Sequence, residues 1–154
     1  MLAAIPAADS IANPGPRAVG VERPKTVRVL PDPHVFLWWS LHSEKISTAP
    51  LEEFDDDSND IAVSAATAWE IVTKFRIGKL PRCEAVAIDH AGHIRLEGFE
   101  ELPISVADAE RHGHLPGPHR DPFDRTLATQ APASDLAFIS ADRVFDRFNV
   151  DRLW

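Results

Sequence analysis

Two rhythms of apolar and polar positions alternate along this chain. Thr26 to Leu30 is short, apolar and β-branched, which predicts a strand, and Pro33 to Leu41, built of Leu and aromatics, predicts a helix. An acidic run leads into Asp60 to Ser64, whose Ile-Ala-Val centre predicts a second, buried strand. Ala65, Ala68, Trp69, Val72 and Phe75 recur at helical spacing and give one apolar face. Ser64 suits the N-cap of that helix and Gly78 its end. A helix is expected around Glu84 to Gly92, a short strand near Glu101 to Ile104, and another helix over Val106 to His112. Asp121-Pro122 has the form of an N-cap followed by Pro at the first helical position. That helix runs on through Phe123, Leu127, Ala128 and Ala131, with Pro132 limiting it. Leu136 to Ser140 is a last clear strand, and Val144, Phe145 and Phe148 suggest a short helix before the closing Val150 to Trp154.

Strands and helices that alternate in this way predict a three-layer α/β/α sandwich around a central, mainly parallel sheet. In such sheets ligands bind outside the carboxyl ends of the strands, so the pattern also says where a site should lie. The 154 residues fit one domain. Residues 1–24 are rich in Ala and Pro and show no sustained period, which marks a flexible leader, with the folded domain expected over residues 25–154.

Composition narrows the function classes. Hydrophobic residues at 44% suit a globular chain. No apolar run approaches the length needed to span a bilayer, so a membrane role is not expected. The single cysteine, Cys83, allows no internal disulfide and fits a reducing cytoplasm. The formal net charge of -8 argues by itself against a nucleic-acid binder. Yet Glu52, Glu53, Asp55, Asp56, Asp57 and Asp60 carry six of those negatives, and without them the balance is -8 + 6 = -2. The run reads as a solvated loop or helix end, and the remaining chain is near neutral, so local basic patches stay open.

Four further acids sit where the strand-end rule points. Asp32 follows the first strand, Glu70 lies in the helix after the second, Asp124 lies in the first turn after Pro122, and Asp142 follows the strand ending at Ser140. Clustered carboxylates repel one another and resist desolvation unless positive charge sits among them. Oxygen donors favour a hard cation such as Mg²⁺ or Mn²⁺, and such ions activate water and stabilise the leaving oxygen of a phosphodiester. Each acid alone reads more readily as a helix cap or a solvated surface charge, and four of them at element boundaries weaken that reading.

The segments carrying these acids resemble those of a known family. Leu30-Pro31-Asp32-Pro33-His34 with Val35-Phe36-Leu37-Trp38-Trp39 is similar to the opening motif of VapC-like PIN domains. Ile61 to Ile71, with Trp69-Glu70-Ile71 and then Lys74 and Ile77-Gly78-Lys79-Leu80, resembles the second motif. Leu115-Pro116 and His119-Arg120-Asp121-Pro122-Phe123-Asp124-Arg125, through Gln130-Ala131, resemble the third, and Phe138-Ile139-Ser140-Ala141-Asp142 the last. The resemblance covers roughly residues 27–154 and implies a PIN fold. It also implies Mg²⁺- or Mn²⁺-dependent endoribonuclease activity of a toxin, an RNA substrate, inhibition by a cognate antitoxin and a homodimer. Carried over by position, Asp32, Glu70, Asp124 and Asp142 are the metal-holding, catalytic acids, and Asp121 is a helix cap or holds a water beside the metal. The sequence departs from the family at Pro31 and Pro33, which flank Asp32 where an apolar residue and Thr are usual. Pro31 removes a ladder hydrogen bond from a central strand and could displace Asp32. A second reading therefore keeps the fold and a partner surface without cutting. A third, a phosphotransferase acting through Asp32, lacks a second acid at position 34, which is His34.

His119 and Arg120 are candidate phosphate contacts, and Lys74 and Arg125 candidate RNA contacts. Lys74, Arg76, Lys79 and Arg82 could form a basic rim, while Arg125 and Arg143 could instead balance the acids beside them. His90, His93, His112, His114 and His119 show no strong zinc-ligand spacing. Phe36, Leu37, Trp38 and Trp39 are expected in the core, or at a dimer or antitoxin interface.

Overall fold

The computed structural model of the protein describes residues 26–154, and the leader expected over residues 1–24 lies outside them. Among the described residues five strands make one sheet: β1 (Arg28–Pro31), β2 (Asp60–Ser64), β3 (Glu100–Leu102), β4 (Ala137–Ile139) and β5 (Arg152–Leu153). Their order is β3-β2-β1-β4-β5, and every pairing is parallel. The helices are α1 (Pro33–Leu41), α2 (Thr48–Asp55), α3 (Ala65–Arg76), α4 (Glu84–Ala87), α5 (His90–Leu96), α6 (Val106–His114) and α7 (Pro122–Ala133), with short 3₁₀ turns at Ser43–Lys45 and Arg143–Arg147.

The period of two in the strands sorts the core into two halves. Val29, Ile61, Val63 and Ile139 pack with Val35 and Phe36 of α1, Phe54 of α2, Val86 of α4 and Ile94 of α5. Their neighbours Leu30, Ala62 and Phe138 point the other way and pack with Leu127, Ala128 and Ala131 of α7 and with Phe145. Apolar burial on both faces of a parallel sheet defines the three-layer α/β/α sandwich expected from the alternation.

Local signals placed most element ends. Asp32 caps α1, Ser64 caps α3 by accepting from Ala66 N, and Asp121 caps α7 by accepting from Phe123 N and Asp124 N at 2.9 and 3.1 Å. Gly78 follows α3 at φ +77°, a conformation that favours glycine over any residue bearing a Cβ. Two regions differ from expectation. The helix expected over Glu84 to Gly92 is two, α4 and α5, because Asp89 breaks the first and caps the second by accepting from Gly92 N. A Cβ on Gly92 would lie 2.1 Å from that carboxylate. Helix α2 was not anticipated: its apolar residues are few, and it is held by burying Pro50 and Phe54.

Pro31 does not displace Asp32. Asp32 N donates to Ile139 O of β4 at 2.9 Å, while Asp60 N of β2 donates to Val27 O. Alternate residues of a parallel strand serve alternate neighbours, so the nitrogen of Pro31 faces β2. The β1–β2 register ends at Val29↔Ile61, whereas the β1–β4 register runs through Pro31↔Ile139. The missing donor therefore falls on the side that does not position Asp32.

Candidate active site

The carboxyl ends of β1, β2 and β4 deliver the expected residues to one end of the sheet, but unequally. Asp32 follows β1 and is 4% exposed. Its Oδ1 accepts from Val35 N at 2.8 Å, and its Oδ2 accepts from the Ser140 hydroxyl. Ser140, wholly buried at the end of β4, accepts in turn from Asp142 N at 3.0 Å. One hydroxyl thus ties the ends of β1 and β4 together. Burial pushes the Asp32 carboxyl above its ordinary range, against the Ser140 and Val35 hydrogen bonds that lower it.

Glu70 lies on the first half of α3 and is also 4% exposed. Its Oε1 pairs with Lys74 one turn on, while Oε2 is buried with no hydrogen-bond partner. Asp124, in the first turn of α7, accepts from His119 Nε2 at 2.8 Å. Burial raises the Asp124 pKa; the His119 hydrogen bond opposes this, and the charges of Asp121 and Glu70 add to it. Glu70 and Asp124 are therefore near enough to feel one another.

Asp142 differs from these three in exposure, although its backbone N–H meets the same Ser140 hydroxyl that binds Asp32. It is exposed and caps the 3₁₀ turn, accepting from Val144 N at 2.8 Å. Asp121 serves as a cap through Oδ1. Among the described residues no group of three or more His, Cys, Asp or Glu stands close enough to share one metal ion. The four acids lie at the same end of the fold, with no three of them gathered about one point among the described residues.

The donor chemistry nonetheless suits a hard cation. All candidate ligands are carboxylate oxygens, and while Lys74 meets Glu70 at Oε1, Oε2 is a buried carboxylate oxygen with no hydrogen-bond partner, a position that a bound cation would satisfy. Mg²⁺ commonly takes only one or two protein carboxylates and fills its remaining positions with water and phosphate, so a three-ligand cage is not required.

The candidate RNA contacts divide by environment. Lys74 is engaged with Glu70. Arg120 is exposed. Arg125 turns to the backbone: it donates to His119 O at 3.0 Å, to His112 O at 3.1 Å and to Leu115 O. It pins the loop between α6 and α7 that carries His119, and so acts on the site through that loop. Ser140 was not singled out from sequence. The only signal was a polar residue closing an apolar strand two places before Asp142.

A parallel sheet with buried acids at its carboxyl ends defines an α/β/α protein with an acidic, oxygen-donor site. The PIN domain family model matches residues 29–150, and the chain belongs to this family. Among solved structures it is similar to a chain of VapBC2 from Rickettsia felis, crystallised bound to a DNA fragment from their promoter. The likeness has a TM-score of 0.63 at 17% identity and covers 83% of this chain and 99% of that one, which establishes a shared fold. No curated protein matches the chain.

Proposed function

We propose that the protein is a Mg²⁺- or Mn²⁺-dependent endoribonuclease toxin that hydrolyses RNA phosphodiester bonds and is neutralised by a cognate antitoxin. The observation that carries this reading is the buried, unpartnered Glu70 Oε2 beside Asp124, in a PIN-domain chain whose central strand ends at the buried Asp32. Asp32, Glu70 and Asp124 would hold the ion, and Asp142 could reach it through the oxygen not used as a cap. A divalent ion held by these residues would supply positive charge to the scissile phosphate and lower the pKa of a water, so that the water gives up a proton and attacks as hydroxide.

The chain's own residues prepare that chemistry. Ser140 and the Val35 amide fix both oxygens of Asp32, so its carboxylate is oriented before substrate arrives. Lys74 and His119 shield Glu70 and Asp124 from mutual repulsion and stand ready to transfer their hydrogen bonds to phosphate oxygens. Arg120, exposed beside His119, meets the RNA backbone. The antitoxin partnership draws on the VapBC2 likeness. The exposed Trp69 and Val72 of α3 offer an apolar face to the antitoxin or to the second copy of a homodimer. Among the described residues no helix is long and apolar enough to cross a membrane, and this reading places the protein's action on RNA in the cytoplasm.

Replacing Asp32 or Asp124 with Asn should lower RNA cleavage by roughly a hundredfold or more and abolish growth arrest, with the circular dichroism spectrum unchanged. Chelation of divalent ions should stop cleavage, and added Mn²⁺ should restore it. Full activity in both Asn variants refutes the assignment.

A further inference from the structure

We propose that the cleft between α1 and the segment following α3 is a subsite for single-stranded RNA, with one base against Trp38 and the adjoining phosphates held by Lys45, Lys79 and Arg82. This rests on the reading of the protein as an RNA-cutting enzyme, and it says along which side of the acids the strand runs.

The cleft has a volume of about 230 Å³ and is lined by His34, Trp38, Lys45, Lys79 and Arg82, with Leu37 at its floor. That is below the ~300–1,000 Å³ of sites for drug-sized ligands and suits one planar ring at a time. Trp38 is half-buried, and the rings of His34 and Trp154 lie tilted against it at centroid distances of 6.2 and 5.8 Å. It is therefore held as a platform rather than free to turn. Single-stranded nucleic acid is gripped by this pairing of an aromatic face with a basic groove.

Charge favours the same ligand. Lys45, Lys79 and Arg82 are all exposed, and among the described residues none makes an ion pair. Glu44, next to Lys45 in the chain, lies 3.3 Å from His42. Three uncompensated cations together are unexpected in a chain of net charge -8 unless they meet an anion.

The cleft also joins the acids. A small depression over Glu70 and Lys74 shares His34, Leu37 and Leu80 with it, so the cleft adjoins Glu70 along α1. A strand whose scissile phosphate sits at Glu70 and Asp124 would lay its flanking nucleotides on Trp38 and the three cations.

The test is fluorescence anisotropy of the full chain with a short, labelled single-stranded RNA in EDTA, over a range of salt, beside a charge-matched oligoglutamate. The double variant Lys79→Ala/Arg82→Ala should bind RNA roughly tenfold more weakly, with a salt slope flatter by about 1.4, at ~0.7 for each of two phosphates. Trp38→Leu should lose roughly tenfold in RNA affinity and keep the slope. Oligoglutamate should bind at least tenfold more weakly than RNA and ignore the Trp38 change. Should Trp38→Leu not fold, the double variant and the oligoglutamate comparison decide. Unchanged affinity and slope in the double variant, or oligoglutamate binding as tightly as RNA, would overturn the subsite, the latter making the cleft a surface for an acidic protein segment. The two readings fail separately. If the protein with Mn²⁺ leaves RNA whole yet binds it with these dependences, the nuclease reading falls and the subsite stands. If it cuts RNA and the double variant binds and cuts like the parent, the subsite falls alone.

Discussion

At the scale of the residue, Asp32 and Asp124 are held in conditions that disfavour their charge. Both carboxyls titrate above their ordinary range, chiefly through burial. Such a group binds more protons in the folded than in the unfolded chain between the two pKa values. The stability contributed by its neutral form is complete below the unfolded pKa and is lost as pH rises through the folded one. In chelator, therefore, the parent protein should give up stability from these two groups as pH rises from the acid side toward neutral, and Asp32→Asn should remove part of that loss. Melting temperatures across pH check this; a steeper fall in the variant would contradict it. Mn²⁺ at neutral pH should raise the melting temperature of the parent more than that of Asp32→Asn, because an ion that binds only the folded state stabilises it by mass action.

Ser140 and Arg125 show what residue identity alone does not disclose. A serine ending a strand carries no chemical signature, and it matters here because β1 and β4 are neighbours, although Asp32 and Ser140 are far apart in sequence. Arg125 reads from sequence as a charge beside an acid. The fold turns it to three backbone carbonyls that would otherwise lack this donor.

At the scale of the element, α7 and the loop before it behave as one unit. Arg125→Ala strips donors from the carbonyls of His112, Leu115 and His119, at a cost of about 1–3 kcal/mol. It should speed hydrogen exchange in residues 115–121 and lower cleavage by loosening His119 beside Asp124, while leaving exchange in β1 unchanged. Uniform protection across that loop in the variant would show that Arg125 does not pin it. The strands depend on burial instead. Phe138 is wholly buried and packs on Phe145 with ring centroids 4.5 Å apart, so Phe138→Ala should cost about 3–5 kcal/mol, measurable by urea denaturation. Pro31→Ala returns a donor toward β2 and should leave cleavage unchanged, because the bond that positions Asp32 is made to β4.

At the scale of the whole molecule, charge is segregated along the strand direction. The acidic run precedes β2 and so lies toward the amino ends of the strands, where Asp56, Asp57 and Asp60 border a separate depression with Glu97 and Glu100. The site lies at the opposite ends. Five residues of β2, at about 3.3 Å each, separate the two by more than the ~8 Å Debye length at physiological salt. The net negative charge is thus compatible with the RNA surface proposed above. Converting Asp55, Asp56 and Asp57 to Asn should leave RNA affinity unchanged at physiological salt, and a gain there would show that the acidic end repels RNA across the molecule.

The sequence by itself determined the layers and most element ends, because these follow from local causes. Period-two and helical apolar patterns set the sheet and its helices, and Asp32, Ser64 and Asp121 cap helices with side chains next to the backbone they satisfy. It also carried the family motifs and the end of the sheet to which their acids belong. Only the tertiary structure decided strand order, the side of β1 on which Pro31 forgoes its bond, and the partners of each acid. It left Asp142 exposed as a cap, buried Glu70 beside Lys74, and set Ser140 against Asp32. Those outcomes depend on contacts between segments distant in sequence, and burial, which sets the cost of a charge, arises only once the layers have closed over one another.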